Sequence, residues 1–163
     1  MDLDQLLREL IDDAARRFGP RHKGEWFIEP VLVDGDNFPE TIVNDARRTI
    51  RVRVTNLVRS SREEARYELG HESIHCLLAT GRRDTIYFEE GLANHYALTL
   101  PCIPRPWRRR AKAKLPELLS APYEAFRALC PTDDKEPSAP RPRRLAWRSK
   151  LVPFQPIADA CFG

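Results

Sequence analysis

Ser61-Arg62-Glu63-Glu64-Ala65-Arg66-Tyr67-Glu68-Leu69-Gly70-His71-Glu72-Ser73-Ile74-His75-Cys76-Leu77-Leu78-Ala79-Thr80-Gly81 carries the pattern on which the reading of this chain turns. It opens on Ser-x-x-Glu, the form of a capping box, with Glu63 and Glu64 at the positive end of a helix dipole. It closes on Gly81, a C-terminal stop. The spacing predicts a helix over about 62–80, with Tyr67, His71, His75 and Leu78 along one stripe. Ala65, Leu69, Ile74 and Leu77 supply the apolar contacts that seat it. Gly70 is the local anomaly, costing about 1 kcal/mol of helix propensity relative to Ala. Close approach by another backbone or by a substrate would account for it.

Two histidines four apart on a helix lie about 40° apart in azimuth and roughly 6 Å apart along the axis. Both imidazoles then project from one face and can bind a single metal ion. Glu72 is rotated by about 100° from its neighbour. That direction suits a base acting on metal-held water better than a ligand. The competing reading is a polar helix whose side chains are satisfied without a metal. A catalytic zinc site needs a third protein ligand and an open position. The segment Tyr87-Phe88-Glu89-Glu90-Gly91-Leu92-Ala93-Asn94-His95-Tyr96 offers it, on a second helix capped by Asp84 or Thr85 and ended by Pro101.

His-Glu-x-x-His followed by an aromatic-rich Glu-Gly-Leu-Ala helix resembles the gluzincin group of zinc metallopeptidases, in its compact, stand-alone form. The resemblance covers roughly residues 48–100. In that group the glutamate before the glycine is the third ligand, which here is Glu90, fifteen residues after His75. Glu89 points about 100° away and is expected to stay off the metal, so that Glu89→Gln would do little. His95 is the histidine alternative. Some gluzincins use an aspartate four residues after the ligand glutamate to orient the first histidine. Asn94 stands there and would accept the ring N–H of His71, as a weaker partner than aspartate.

The resemblance thus implies one Zn2+ per chain on His71, His75 and Glu90, with Glu72 as general base in hydrolysis of a peptide or protein substrate. Candidates to stabilise the oxyanion are Tyr96, Tyr123 and His22. The expected fold class is α+β: a small zincin-like domain with an active-site helix, a glutamate helix, a short mixed sheet and additional N- and C-terminal helices.

Thr49-Ile50-Arg51-Val52-Arg53-Val54-Thr55-Asn56 alternates with period two, as a strand buried on one face does. Gluzincins place an edge strand beside the zinc helix to pair with extended substrate, which would make Arg51 and Arg53 substrate-binding candidates. The plainer alternative is an ordinary strand with a solvated arginine face. Further strands are expected at Glu25–Glu29 and Val31–Val33, separated by Pro30, with a turn at Asp34–Asn37. Leu3, Leu6, Leu7, Leu10, Ile11, Ala14 and Phe18 recur at helical spacing before Gly19-Pro20. They predict a core-packing helix; a removable prosegment is the alternative.

The 163 residues suit one domain, with a zinc-site core at about 48–100 and a basic extension over 101–163. The first hundred residues hold fourteen Lys/Arg against eighteen Asp/Glu, whereas 101–150 hold thirteen against five. Basic runs at Pro104–Arg110 and Pro140–Arg144, with Trp107 and Trp147 nearby, support a rival reading as a nucleic-acid-binding protein. A second rival is a catalytically silent zinc-binding scaffold. Helices are expected over 111–119 and 123–129, and a loop over 132–142. Cys76, Cys102, Cys130 and Cys161 are scattered without a Cys-x-x-Cys pair, unlike a structural zinc site or a disulfide framework. The acidic start carries no secretory signal and no apolar run reaches bilayer length, so a cytoplasmic protein without a membrane partner is expected.

Overall fold

The computed structural model describes residues 1–18, 26–34, 38–78, 87–113 and 124. The expected turn at Asp34–Asn37 lies largely outside them, as do the helix stop at Gly81, the caps Asp84 and Thr85, most of the C-terminal segment, and the candidates His22 and Tyr123.

Helix α1, Leu3–Phe18, begins where Asp2 Oδ1 accepts the amides of Asp4 (2.9 Å) and Gln5 (3.1 Å). That cap satisfies two of the amides a helix start leaves without partners. The apolar spacing buries Leu7, Leu10, Ile11 and Ala14, each of the larger side chains contributing roughly 1.5–3 kcal/mol. The helix is thus part of the core. Its removal would open that core, which argues against the prosegment alternative.

Four short strands follow among the described residues: β1 (Phe27–Ile28), β2 (Leu32–Val33), β3 (Glu40–Asn44) and β4 (Thr49–Val54). β1 and β2 both run parallel to β4 on one side, and β3 pairs antiparallel on the other. Ile28 faces Ile50 and Leu32 faces Arg53, so four steps along one path meet three on the other. The extra residue falls at Pro30, which has no N–H for the ladder. The Val31 amide just beyond is taken by Asp4 Oδ1 at 2.7 Å, fastening this break to the first turn of α1.

β4 alternates as its sequence predicts. Ile50, Val52 and Val54 are buried, while Arg51 is exposed and Arg53 half-buried on the opposite face. Its place in the sheet corrects the edge-strand expectation, because β4 is central. Among the described residues β3, not expected as a strand from the sequence, forms the edge on the side away from β1 and β2. Its hairpin to β4 turns through Asp45-Ala46-Arg47-Arg48 without a glycine: Arg48 adopts φ 53°, and Arg47 donates its amide to Asn44 Oδ1 at 3.1 Å.

A 3-10 turn, Asn56–Arg59, leads into α2, Arg62–Leu78. Ser61 Oγ accepts the Glu64 amide at 3.1 Å, so the predicted capping box supplies the N-terminal bond. α3, Tyr87–Thr99, packs against α2. A Cβ placed on Gly70 would lie 2.9 Å from Leu100 Cδ1 and 3.5 Å from Ala97 Cα. The glycine is therefore explained by the close approach of α3 and the residue just past it.

α4, Arg105–Ala113, begins earlier than the expected helix at 111. Pro106 is tolerated in a first turn, where a missing N–H costs nothing. Trp107 packs on Tyr67 with ring centroids 5.3 Å apart, and Arg108 donates to the carbonyls of Leu100 and Ile103, both at 2.8 Å. Part of the basic run thus serves the fold. The described elements make an α+β arrangement of four α-helices and a small, mostly parallel sheet. Among the described residues no helix is long and apolar enough to cross a membrane.

Candidate metal centre

The second half of α2 and the first turn of α3 meet through four polar side chains. Nε2 of His71 and Nε2 of His75 are 3.1 Å apart. Glu90 places Oε2 at 3.3 Å from the first and Oε1 at 3.4 Å from the second. Ligands about 2.0–2.1 Å from a tetrahedral zinc stand about 3.3–3.4 Å from one another. Glu90 meets the two imidazoles through different oxygens, so these contacts approach that spacing without a single carboxylate atom completing it; one donor atom from each residue lies within 4.8 Å of the others. Glu90 Oε2 is buried without a well-formed hydrogen bond, its near polar neighbour being His71 Nε2 at 3.3 Å. Together these residues form a group that could hold a metal ion, and His95 lies outside it.

The electrostatics favour a cation. Burial pushes the His75 imidazole down, but the hydrogen bond to Glu89 and the charges of Glu72, Glu89 and Glu90 outweigh it and hold the pKa at about 9. For Glu90, burial raises the carboxyl, yet its contact with His71 and the charges of His75 and His71 leave it below the usual carboxylate range. The surrounding carboxylates thus make His75 retain a proton where a metal would supply the positive charge.

Glu89 has a closer part in the site than its azimuth suggested. Its Oε1 lies 2.8 Å from His75 Nδ1. A proton on Nδ1 given to this carboxylate leaves the Nε2 lone pair facing Glu90 and His71. Glu89 stays out of the three-donor group, as its azimuth suggested, yet it meets one of the donors rather than standing clear of the site. An imidazole has two nitrogens, and adjacent residues in the first turn of α3 reach one each.

Asn94 is also placed differently from its expected role on His71. Its Nδ2 donates to the Glu90 carbonyl at 2.9 Å, and its Oδ1 accepts from the Tyr67 hydroxyl at 3.2 Å. The bond back to Glu90 aims the amide at α2 one turn before His71. Asn94 thereby braces the ligand helix against Tyr67 and makes no hydrogen bond to His71 among the described residues.

Tyr96 follows Glu90 by six residues, about 120° away around α3. Its buried hydroxyl lies 3.0 Å from Leu10 O and 2.9 Å from Asp13 Oδ2, on the α1 side. Burial first, then the Asp13 charge, pushes its pKa up. A hydroxyl held there cannot serve the cluster as an oxyanion donor. Arg51 pairs with Glu29, and Arg53 with Glu40 and Asp34. Both arginines extend from the sheet face opposite Ile50, Val52 and Val54, away from α2, which corrects their proposed contact with substrate. Exposed Phe27, Leu32 and Ile42 share the register of that outer face.

Glu72 stands outside the three donors and is buried. Its Oε2 accepts from Thr41 Oγ1 at 2.7 Å. Thr41 on β3 was not singled out from sequence. The β-branched run Thr41-Ile42-Val43 signals a strand, but nothing local signals that its first residue meets a helix thirty-one positions later. Compared with family models, curated proteins and solved structures, the chain matches none.

Proposed function

We propose that the protein is a zinc-dependent metallopeptidase that hydrolyses peptide bonds. The observation that carries the reading is the convergence of His71, His75 and Glu90 into a group whose donor atoms lie within 4.8 Å of one another, with a separate buried carboxylate, Glu72, on the same helix. The two Nε2 atoms and the Glu90 carboxylate would hold the ion, with Glu89 keeping His75 in the ligating tautomer. Zinc bound there would supply Lewis acidity, polarising a carbonyl and bringing the pKa of water toward about 7.

Glu72 then acts as general base, taking the proton of the attacking water and later giving it to the leaving amine. Its Oε1 has no hydrogen-bond partner among the described residues, whereas Oε2 is held by Thr41. β3 lies beside α2 with one edge unpaired among the described residues. An extended peptide would pair along that edge through main-chain hydrogen bonds.

The test compares wild type with Glu72→Gln on a broad peptide library, with zinc content measured in both. Zinc occupancy is expected to survive in the variant while hydrolysis falls by about two to four orders of magnitude. Equal cleavage by the two proteins would reject catalysis here. Full zinc occupancy with no cleavage by wild type would favour the silent scaffold.

A further inference from the structure

Helix α2 presents two glutamates one turn apart, and a threonine from the strand-and-turn region meets each. Glu68 is saturated: Oε2 accepts the Thr55 amide at 2.8 Å, and Oε1 accepts the Thr55 hydroxyl. Both oxygens are spent on joining the end of β4 to the helix. Glu72 is treated differently. Only Oε2 is engaged, by the Thr41 hydroxyl at 2.7 Å, and Oε1 takes no hydrogen bond from any described residue. A carboxylate tied at both oxygens is a structural joint. One tied at a single oxygen is oriented yet keeps an acceptor for another molecule.

We propose that Thr41 is the positioning residue for the Glu72 base, holding one carboxylate oxygen so that the other faces the reacting proton. The inference rests on the metallopeptidase reading for its catalytic consequence but not for the bond itself. The threonine hydroxyl has one proton. Glu72 Oε2 at 2.7 Å is the near acceptor, while the Glu72 carbonyl at 3.4 Å is marginal. An ionised carboxylate cannot donate, so the hydroxyl donates and its own position fixes the side-chain torsions of Glu72. That position is set by the sheet. Thr41 faces Val52 in the β3–β4 register, and Val52 is buried. The anchor is therefore a strand backbone paired to the centre of the sheet, more rigid than a loop. Holding a base in its productive direction raises turnover without tightening substrate binding, and misplacement by about 1 Å can cost a hundredfold.

Thr41→Val keeps the shape and the strand propensity and removes only the hydroxyl. Thr41→Ser restores it. In the full chain, Thr41→Val is expected to lower kcat by about ten- to a hundredfold. KM should stay within about twofold and zinc content should be unchanged, because an aligned base affects turnover and leaves binding alone. Thr41→Ser should recover most of the rate. Independently of hydrolysis, a double-mutant cycle of Thr41→Val with Glu72→Ala in denaturant unfolding of the metal-free protein reads the bond. A coupling on the order of tenfold in the unfolding constant is expected for a hydrogen bond to a charged group.

Zero coupling would overturn the proposal, since the two groups would not be paired. Coupling with unchanged kcat in Thr41→Val, while Glu72→Gln abolishes turnover, would overturn the positioning role and leave the peptidase reading standing. Unchanged turnover in Glu72→Gln would remove the peptidase reading, and the positioning role with it.

Discussion

The two sides of α3 meet their neighbours with opposite chemistry. Toward α1, Tyr96 puts its hydroxyl between Leu10 O and Asp13 Oδ2, Arg17 pairs with the same Asp13 at 2.8 Å, and Phe18 meets the tyrosine ring edge-on at 5.7 Å. Every polar atom named there has a partner within the protein. Toward the second half of α2, Glu89 and Glu90 confront two imidazoles, one glutamate oxygen is buried without a well-formed hydrogen bond, and His75 retains its proton to a pKa of about 9. The first network is complete by itself and needs nothing added. The second crowds carboxylates around imidazoles in a group that could hold a metal ion. Burying polar groups is costly unless they are matched, so the less fully matched cluster is the one where a bound metal ion could contribute to the fold.

The contrast breaks most readily at the histidines. Replacing His71 and His75 together by alanine should abolish stoichiometric zinc in protein purified without added metal, as elemental analysis would show. Retention of one zinc by that double variant would move the site elsewhere. The next largest effect is that of pH. Because the folded pKa of His75 lies above its ordinary 6.5, protonation stabilises the metal-free protein fully below about pH 6.5, and that contribution is lost as pH rises through about 9. Zinc must displace the same proton. Its apparent affinity should therefore climb about tenfold per pH unit toward pH 9 and then level, measured by competition with a chelator. A flat profile between pH 7 and 9 would contradict the charge balance described for the cluster.

Glu89 sharpens the comparison further. Glu89→Leu removes the acceptor for His75 Nδ1 and should weaken zinc binding by about ten- to a hundredfold without removing a ligand. An affinity equal to wild type would return Glu89 to the bystander role its azimuth alone suggested. The smallest effect belongs to the closed side. Tyr96→Phe should cost about 1–3 kcal/mol of stability by removing the one hydroxyl proton that Asp13 Oδ2 and Leu10 O share, with zinc affinity unchanged. A loss of zinc in that variant would mean the two faces of α3 are coupled rather than separate.

Much of the arrangement was legible because helix geometry is local. The Ser61 cap, the apolar spacing of α1 and α2, and the period-two alternation of β4 each depend on residues within a few positions of one another. The anomaly at Gly70 was visible in the same way, although its cause was not. Glu89 illustrates the limit of such reasoning. Its direction relative to Glu90 followed from helical geometry, but whether a second imidazole nitrogen waited there depended on how two helices dock.

What the sequence alone determined, then, is one helix bearing His71 and His75 on a common face, a second helix offering glutamates, and a strand whose arginines and aliphatic residues part to opposite sides. These follow from fixed backbone periods. Only the tertiary structure decided that β4 is central and β3 the edge, that Asn94 meets Tyr67, that Tyr96 turns toward α1, and that Thr41 holds Glu72. Each of those joins residues far apart in the chain, through contacts set by the packing of whole elements, and no local spacing encodes which distant side chain will arrive.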